Sequence, residues 1–383
     1  MTVESLPKKV WLSLGIALVL ALTLAGKRYL DTRVAPGFTL IDSRTPVADR
    51  QMYWLDDDRV LFLGGETVRE GRDFGKLRQA LMIFDVPKRK TTVYRRDVQS
   101  LLCVADGRVV YAAHEEGEEK RYAGELGKEV HTPWKTKQEV DAAPDVKFNP
   151  LTCGFFDHAA YKTAGKQVKP LRGGDGVLDL GRPEREEWTD RNSIRLVRGS
   201  DHAVVELPVE RRQAYHVHYA PYRGAYLLAR FINQSSTIEW SRKGCEPMWW
   251  LAPDGRTEKE CMPYLPSLSF GLGHVVPWRD GVLFAHHRGA GQWGPGDAGL
   301  YIWNRGDGLL RRVLPGVVSH GVTGHPAVSP DGCRVAFGYA RNMGQNRPRT
   351  RTLRVLELCQ GGKSDGQGRP QPDCAGCEPR GVR

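Results

Sequence analysis

Residues 325–339 read His325-Pro326-Ala327-Val328-Ser329-Pro330-Asp331-Gly332-Cys333-Arg334-Val335-Ala336-Phe337-Gly338-Tyr339. Two apolar stretches flank a Ser-Pro-Asp-Gly turn. Proline presets φ there, aspartate bonds its own backbone and glycine takes the left-handed position, so the segment predicts a β-hairpin. Two upstream segments repeat it: His218-Tyr219-Ala220-Pro221-Tyr222-Arg223-Gly224 before AYLLAR, and His274-Val275-Val276-Pro277-Trp278-Arg279-Asp280-Gly281 before VLFAH. Weaker copies lie at Trp54–Leu63 and Leu102–Ala112, with a degraded one at Cys153–Tyr161. Amphipathic helical periodicity is nearly absent after residue 36, and short strand-like runs separated by Asp/Gly turns fill the chain. Each unit supplies an inner strand, a tight turn and a second strand. A period of about 50 residues selects a β-propeller among all-β folds. The six inner strands predict six blades behind one N-terminal hydrophobic helix.

The segment from His325 to Phe337 resembles the repeat of TolB-type propellers, whose units carry a proline, an aromatic and Ser-Pro-Asp-Gly before an apolar strand. The match is good in one unit and partial in two, where an arginine stands in place of Ser-Pro. It covers roughly the last third of the chain strongly and the rest only by period. The resemblance implies a six-bladed TolB-like fold and a cell-envelope location. It does not imply membership of the Tol-Pal assembly, because propellers host many unrelated functions.

The 383 residues are 40% hydrophobic and 26% charged, a globular balance, and the 43 glycines and 24 prolines favour turns over long helices. The net charge of +11 attracts anionic partners, although it also serves plain solubility. No RNA- or DNA-binding signature accompanies it, so no nucleic-acid partner is expected.

Val10–Gly26 is an almost unbroken apolar run flanked by Lys8, Lys9, Lys27 and Arg28. It is short for a bilayer span and also resembles a signal-peptide core. An uncleaved single-pass anchor in the cytoplasmic membrane through residues 10–26 is favoured, with secretion after cleavage near Thr23-Leu24-Ala25 as the alternative. The expected divisions are residues 1–36 as anchor or signal and linker, 37–360 as propeller, and 361–383 as a flexible Gly/Pro-rich tail. That tail carries a Cys374-Ala375-Gly376-Cys377 motif with neither the histidine of a haem site nor a second pair for zinc.

The eight cysteines place the domain outside the cytoplasm. Cys245 and Cys261 flank the turn at Ala252–Gly255, and Cys333 and Cys359 flank the loop at Arg341–Thr350. Counting inward from both ends puts each pair on facing positions of antiparallel strands, at the short separations disulfides need. Cys103 and Cys153 are placed to pair between neighbouring blades. Disulfides imply an oxidising compartment, periplasmic or extracellular. Gly37–Asp42 is the unassigned strand-like segment and is expected to pair with Thr352–Leu358, closing the ring.

Inner strands line a propeller's channel, so His218, His274 and His325 are the candidate metal ligands, with His216 and His320 beside them and Mn, Fe or Zn as the divalent ion. The resemblance sharpens this, since some oligogalacturonate lyases look like TolB-type propellers that hold a metal through channel histidines. The simpler reading is a repeat-consensus histidine bonded to the neighbouring blade, with no cofactor. Arg347, Arg349 and Arg351 belong to an arginine cluster around the last hairpin and are the candidate binding residues for an acidic glycan or envelope protein. No zinc-protease helix, hydrolase elbow or phosphate loop is present. The leading expectation is a non-enzymatic propeller that binds an envelope protein or a glycan. The alternative is a metal-dependent polysaccharide lyase.

Overall fold

Strand β1 (Thr39–Trp54) belongs to two groups of strands at once. Its first half pairs antiparallel with the last strand of the chain, Ile41 opposite Val355 and Asp42 opposite Arg354. After a register shift its second half pairs with the next strand, Tyr53 opposite Leu61. The two ends of the domain are thereby joined, as Gly37–Asp42 led one to expect. In this computed structural model the described residues are 16–20, 22–23, 34–35, 37–67, 77–128, 130–134, 145–161, 167–172, 176–180, 192–199, 201–207, 215–230, 244–263, 272–287, 299–315, 320–341 and 350–359.

The strands follow in chain order. β2 (Arg59–Thr67), β3 (Leu77–Asp85) and β4 (Lys90–Arg96) extend the sheet begun by β1. β5 (Val98–Ala105), β6 (Arg108–Glu115), β7 (Glu118–Glu125) and β8 (Thr132–Trp134) form a four-stranded sheet, and β9 (Val146–Asn149) and β10 (Gly154–Asp157) a two-stranded one. Three further four-stranded sheets follow. They are β11 (Gln167–Pro170) to β14 (Asp201–Leu207) through β12 (Gly176–Leu180) and β13 (Asn192–Arg198); β15 (Tyr215–Ala220), β16 (Ala225–Arg230), β17 (Cys245–Leu251) and β18 (Thr257–Pro263); and β19 (Leu272–Trp278), β20 (Gly281–His287), β21 (Gly299–Asn304) and β22 (Leu310–Pro315). β23 (His320–Val328), β24 (Arg334–Arg341) and β25 (Thr350–Glu357) then pair onto β1, giving one seven-stranded sheet in all.

The fold is an all-β propeller, and the expected count of six blades is not met. Among the described residues four self-contained four-stranded blades are formed, and the other strands fall in the seven-stranded and two-stranded sheets. Between β11 and β12 the sequence carries Asp175-Gly176 ahead of an apolar strand, as the repeat units do, but it lacks their histidine and stands outside the six expected copies. The degraded copy at Cys153–Tyr161 forms β10 and a short 3-10 turn at Ala159–Tyr161.

The hydrophobic core is a series of layers between consecutive sheets. Alternation along a strand sends neighbouring residues to opposite layers. On β24, Val335 and Phe337 pack with Val276, Trp278 and Leu283 of the preceding sheet, whereas Ala336 packs with Val60, Phe62 and Met82 of the following strands. Met248 and Trp250 of β17 meet Val282, Phe284 and Tyr301, while Trp249 and Leu251 meet Leu178 and Leu196.

The turns β1–β2, β5–β6, β15–β16, β19–β20 and β23–β24 share one side of the ring, because strands alternate in direction. The repeat's chemistry is explained there. Ser329 Oγ lies 2.5 Å from Asp331 Oδ1 and accepts the Arg334 N–H at 2.8 Å, and Asp331 Oδ1 accepts the Cys333 N–H at 2.8 Å. The aromatic of the repeat ties one sheet to the next: Trp278 Nε1 donates to the Gly332 carbonyl at 2.8 Å. Trp54 Nε1 does the same to Ala327, also at 2.8 Å.

Among the described residues three disulfides are formed: Cys103–Cys153, Cys245–Cys261 and Cys333–Cys359, with Cα separations of 5.5, 5.4 and 5.0 Å. The first links β5 to the β9–β10 turn. The facing register expected for the other two needs correction. Cys245 faces Pro263 and Cys261 faces Pro247, so that bridge runs diagonally. Cys333 carries the carbonyl that accepts the Leu358 N–H at 2.8 Å, so Cys359 lies one residue beyond the facing position. Side chains on adjacent strands still come within bridging reach.

Most of the apolar run Val10–Gly26 lies outside the described residues. Residues 16–20 and 22–23 are helical, and Ile16, Leu18, Val19, Leu20 and Leu22 are all more than half exposed. No helix among the described residues is long and apolar enough to cross a membrane, so the expected membrane-spanning helix is not among them. The tail 361–383 also lies outside them.

Candidate functional site

The three histidines do fall on first strands of their sheets: His218 on β15, His274 on β19 and His325 on β23. His218 is half-buried opposite Leu227, and its ring stacks with that of His216 at a centroid separation of 6.2 Å. Both rings lie on the strand face opposite Val217 and Tyr219, which pack against the preceding sheet. Alternation on β15 therefore aims His218 toward the following sheet. The side chains of His274 and His325 lie outside the described residues. Among the described residues no group of three His, Cys, Asp or Glu side chains is placed to hold a metal. Arg351 sits in β25 opposite Ala340, and Arg347 and Arg349 lie outside the described residues.

The densest charged constellation is one the repeat did not announce. Arg223, from the β15–β16 turn, lays its guanidinium 4.1 Å above the Trp250 ring and pairs with Glu258 at 2.6 Å. Arg305, from the turn after β21, also pairs with Glu258 and lies 3.4 Å from Glu260. Glu258 and Glu260 alternate on β18, so both carboxylates face the following sheet. The Glu260 side chain is only 3% exposed, and neither oxygen has a hydrogen-bond partner among the described residues. Burial raises its pKa above the ordinary carboxylate value. The Trp250 indole, near but outside hydrogen-bond geometry, and the two guanidiniums pull the other way. The group can carry a proton in a dry site, but it stands between blades and has no nucleophile or metal partner on the described residues.

A second polar group joins β4 to the β5–β8 sheet. His131 Nδ1 lies 3.0 Å from Tyr111 Oη, and His131 Nε2 lies 3.1 Å from Tyr94 Oη. Tyr94 donates its hydroxyl hydrogen to the Glu125 carbonyl at 3.3 Å. Its oxygen must then accept from Nε2–H, which leaves Nδ1 to accept from Tyr111. The imidazole is thus held neutral, and burial first, then Arg95, lowers its pKa. Gly124 makes room for the ring: a Cβ there would stand 2.0 Å from His131 Cδ2.

Solved structures that match the chain include three with low identity. The β-propeller domain of the Trilobed protease from Pyrococcus furiosus is 11% identical, with 81% of this chain and 94% of that one covered at a TM-score of 0.37. An oligogalacturonate lyase in complex with manganese is 13% identical, with 85% and 92% covered at 0.34. An acylaminoacyl peptidase from Pyrococcus horikoshii is 10% identical at 0.46, with 81% of this chain covered and only 50% of that one. No protein-family model and no curated protein sequence matches the chain.

Two arginines of the repeat mark this chemistry in the sequence. Arg223 and Arg279 occupy the positions where the repeat departs from Ser-Pro. In the structure both reach sideways: Arg223 to the carboxylates of β18, Arg279 to the next hairpin.

Proposed function

We propose that this protein is a non-enzymatic β-propeller working outside the cytoplasm, where one side of the ring binds an envelope protein or acidic glycan. The observation that carries this is the uneven length of the connections. Strands on the turn side are joined by short turns, as at Asp106–Gly107 and Arg279–Asp280. The opposite strand ends are separated by 231–244 between β16 and β17, 288–298 between β20 and β21, and 342–349 between β24 and β25. Long connections on a rigid scaffold are where propellers and other folds place recognition. The last of these carries Arg347 and Arg349 beside Arg351, which suits an acidic partner. The three disulfides support the compartment. The exposed apolar helical residues between Ile16 and Leu22 support a tether through residues 10–26, with release after cleavage as the alternative.

Reversing charge in the triple variant R347E/R349E/R351E tests the binding reading. Retention on an immobilised acidic polysaccharide, or cross-linking to envelope proteins in membranes, should fall at least about tenfold with the melting temperature unchanged. Unchanged binding overturns it. The second reading, a metal-dependent lyase, draws on the placement of His218, His274 and His325 on first strands of consecutive sheets. Stoichiometric Mn, Fe or Zn in the purified protein, lost in H274A, would replace the first reading with the second.

A further inference from the structure

We propose that Cys333–Cys359 is a reducible disulfide, primed by Arg279 and placed to loosen the closure of the ring when a dithiol opens it. Arg279 sits in the β19–β20 turn with φ of 47°, in the left-handed region. From there Nη2 lies 3.0 Å from Cys333 Sγ and touches Cys359 Sγ. The side chain is held in place. Trp278, its neighbour, is bonded to the Gly332 carbonyl at 2.8 Å. Gly332 has φ of 71°, and a Cβ there would stand 3.0 Å from Arg279 Cγ.

Arg279 is half-buried, its Nε has no hydrogen-bond partner, and among the described residues no carboxylate forms an ion pair with it. A neutral disulfide gives this cation no counter-charge. A thiolate does, so the guanidinium favours the opened form and lowers the pKa of the departing sulfur. The described residues place no guanidinium at the other two bridges, and Cys103 and Cys153 are both 0% exposed. Cys333 and Cys359 are partly exposed, within reach of a reductant, but so is Cys245, and Cys261 is exposed, so against that bridge the guanidinium alone sets Cys333–Cys359 apart.

In the exchange, one thiolate of a dithiol attacks Cys359 Sγ. A sulfur–sulfur bond forms to the reductant as the bond to Cys333 breaks. Cys333 leaves with the electron pair as a thiolate facing Arg279. The second thiolate of the reductant then attacks the reductant's own sulfur in the mixed disulfide, closing an oxidised dithiol and releasing Cys359 as a thiolate. Two electrons pass to the protein, and each thiolate takes a proton from solvent according to its pKa.

The location gives the opening a consequence. Cys359 follows the end of β25 at which Glu357 faces Thr39 of β1. Phe38 and Leu40 pack in the same layer as Leu356 and Leu358. Releasing the bridge frees the end of β25 that carries the closing strand.

The full-length oxidised protein is treated with dithiothreitol at neutral pH, quenched with N-ethylmaleimide and mapped by peptide mass spectrometry. Cys333–Cys359 should open at least about tenfold faster than Cys245–Cys261, and R279Q should remove that advantage while R279K keeps part of it. Equal opening rates in the wild type, or an unchanged rate in R279Q, overturn the proposal. The wild type gives a second reading independent of any variant. In the protein reduced at this bridge, alkylation against pH should report a thiol below the ordinary value of about 8.5, and a value at or above it also overturns the proposal.

Discussion

Ile41 of the first strand lies opposite Val355 of the last, and Ile41 packs in one layer with Val60, Met82 and Leu353. The start of the domain therefore seals its end. Ile41 is 6% exposed, and truncating it removes apolar contacts from the one join that is not covalently continuous. I41A should destabilise the protein by about 2–5 kcal/mol, and deleting residues 37–42 should lower the melting temperature of the whole propeller while its transition stays single and cooperative. Deleting 361–383, a polar segment beyond the last strand, should leave the transition where it was. Calorimetry of the three variants checks this, and a local, non-cooperative loss in the 37–42 deletion would contradict it.

His131 makes stability depend on mildly acidic pH. Its folded pKa lies below the ordinary histidine value, because burial and Arg95 oppose a second proton. Its surroundings also include Tyr94 from β4, Tyr111 from β6 and the backbone carbonyl of Glu125. As pH falls through about 6.5 the unfolded chain takes up the proton first, so stability is full above that value and declines below it. Melting temperature between pH 7.5 and about 5 should fall more steeply in the wild type than in H131Q. Equal slopes would show that the ring is not held neutral.

Gly124 is required by the same ring. G124A should push His131 from between the tyrosines and cost about 1–3 kcal/mol. It should also flatten the pH slope assigned to His131. A variant that melts like the wild type would mean the ring has room to shift.

Glu260 has the opposite linkage. Its folded pKa is raised, chiefly by burial, so its contribution is full below the unfolded carboxylate value and is lost as pH rises through the folded one. At neutral pH, E260Q should be neutral or stabilising by up to about 1 kcal/mol, whereas R305A, which removes one nearby positive charge, should destabilise. Denaturant melts at pH 7 decide the sign. A clear loss in E260Q would show that the two arginines outweigh burial.

Cys103–Cys153 closes a loop of sequence separation 50 and joins two neighbouring sheets. The two-stranded sheet β9–β10 has few strands of its own to hold it, so this bridge should matter most locally. C103A/C153A should lose about 2–4 kcal/mol, with hydrogen exchange rising first in residues 146–157. Uniform exchange across the ring would argue that the effect is global.

The hairpin repeat, the all-β class, the pairing of six cysteines and the joining of Gly37–Asp42 to Thr352–Leu358 were legible in the amino-acid order. Each rests on local periodicity or turn chemistry, which a one-dimensional string records directly. Ser329, Asp331 and Gly332 write their own turn, and the alternation of Val335, Ala336 and Phe337 writes which layer each enters. The blade count was not legible: β12 and β13 are separated by the charged segment 181–191, and their pairing of Leu178 with Leu196 becomes visible only when the strands lie side by side. The diagonal register of Cys245 and Cys261 likewise depends on the turn's loop length. The clustered charges needed the tertiary structure altogether. Arg223 comes from the β15–β16 turn and Glu258 from β18, Arg305 from the next sheet, and Arg279 reaches Cys333 across 54 residues of sequence. Electrostatic contact depends on distance in space, and in a ring of sheets the nearest charge is commonly on the neighbouring blade.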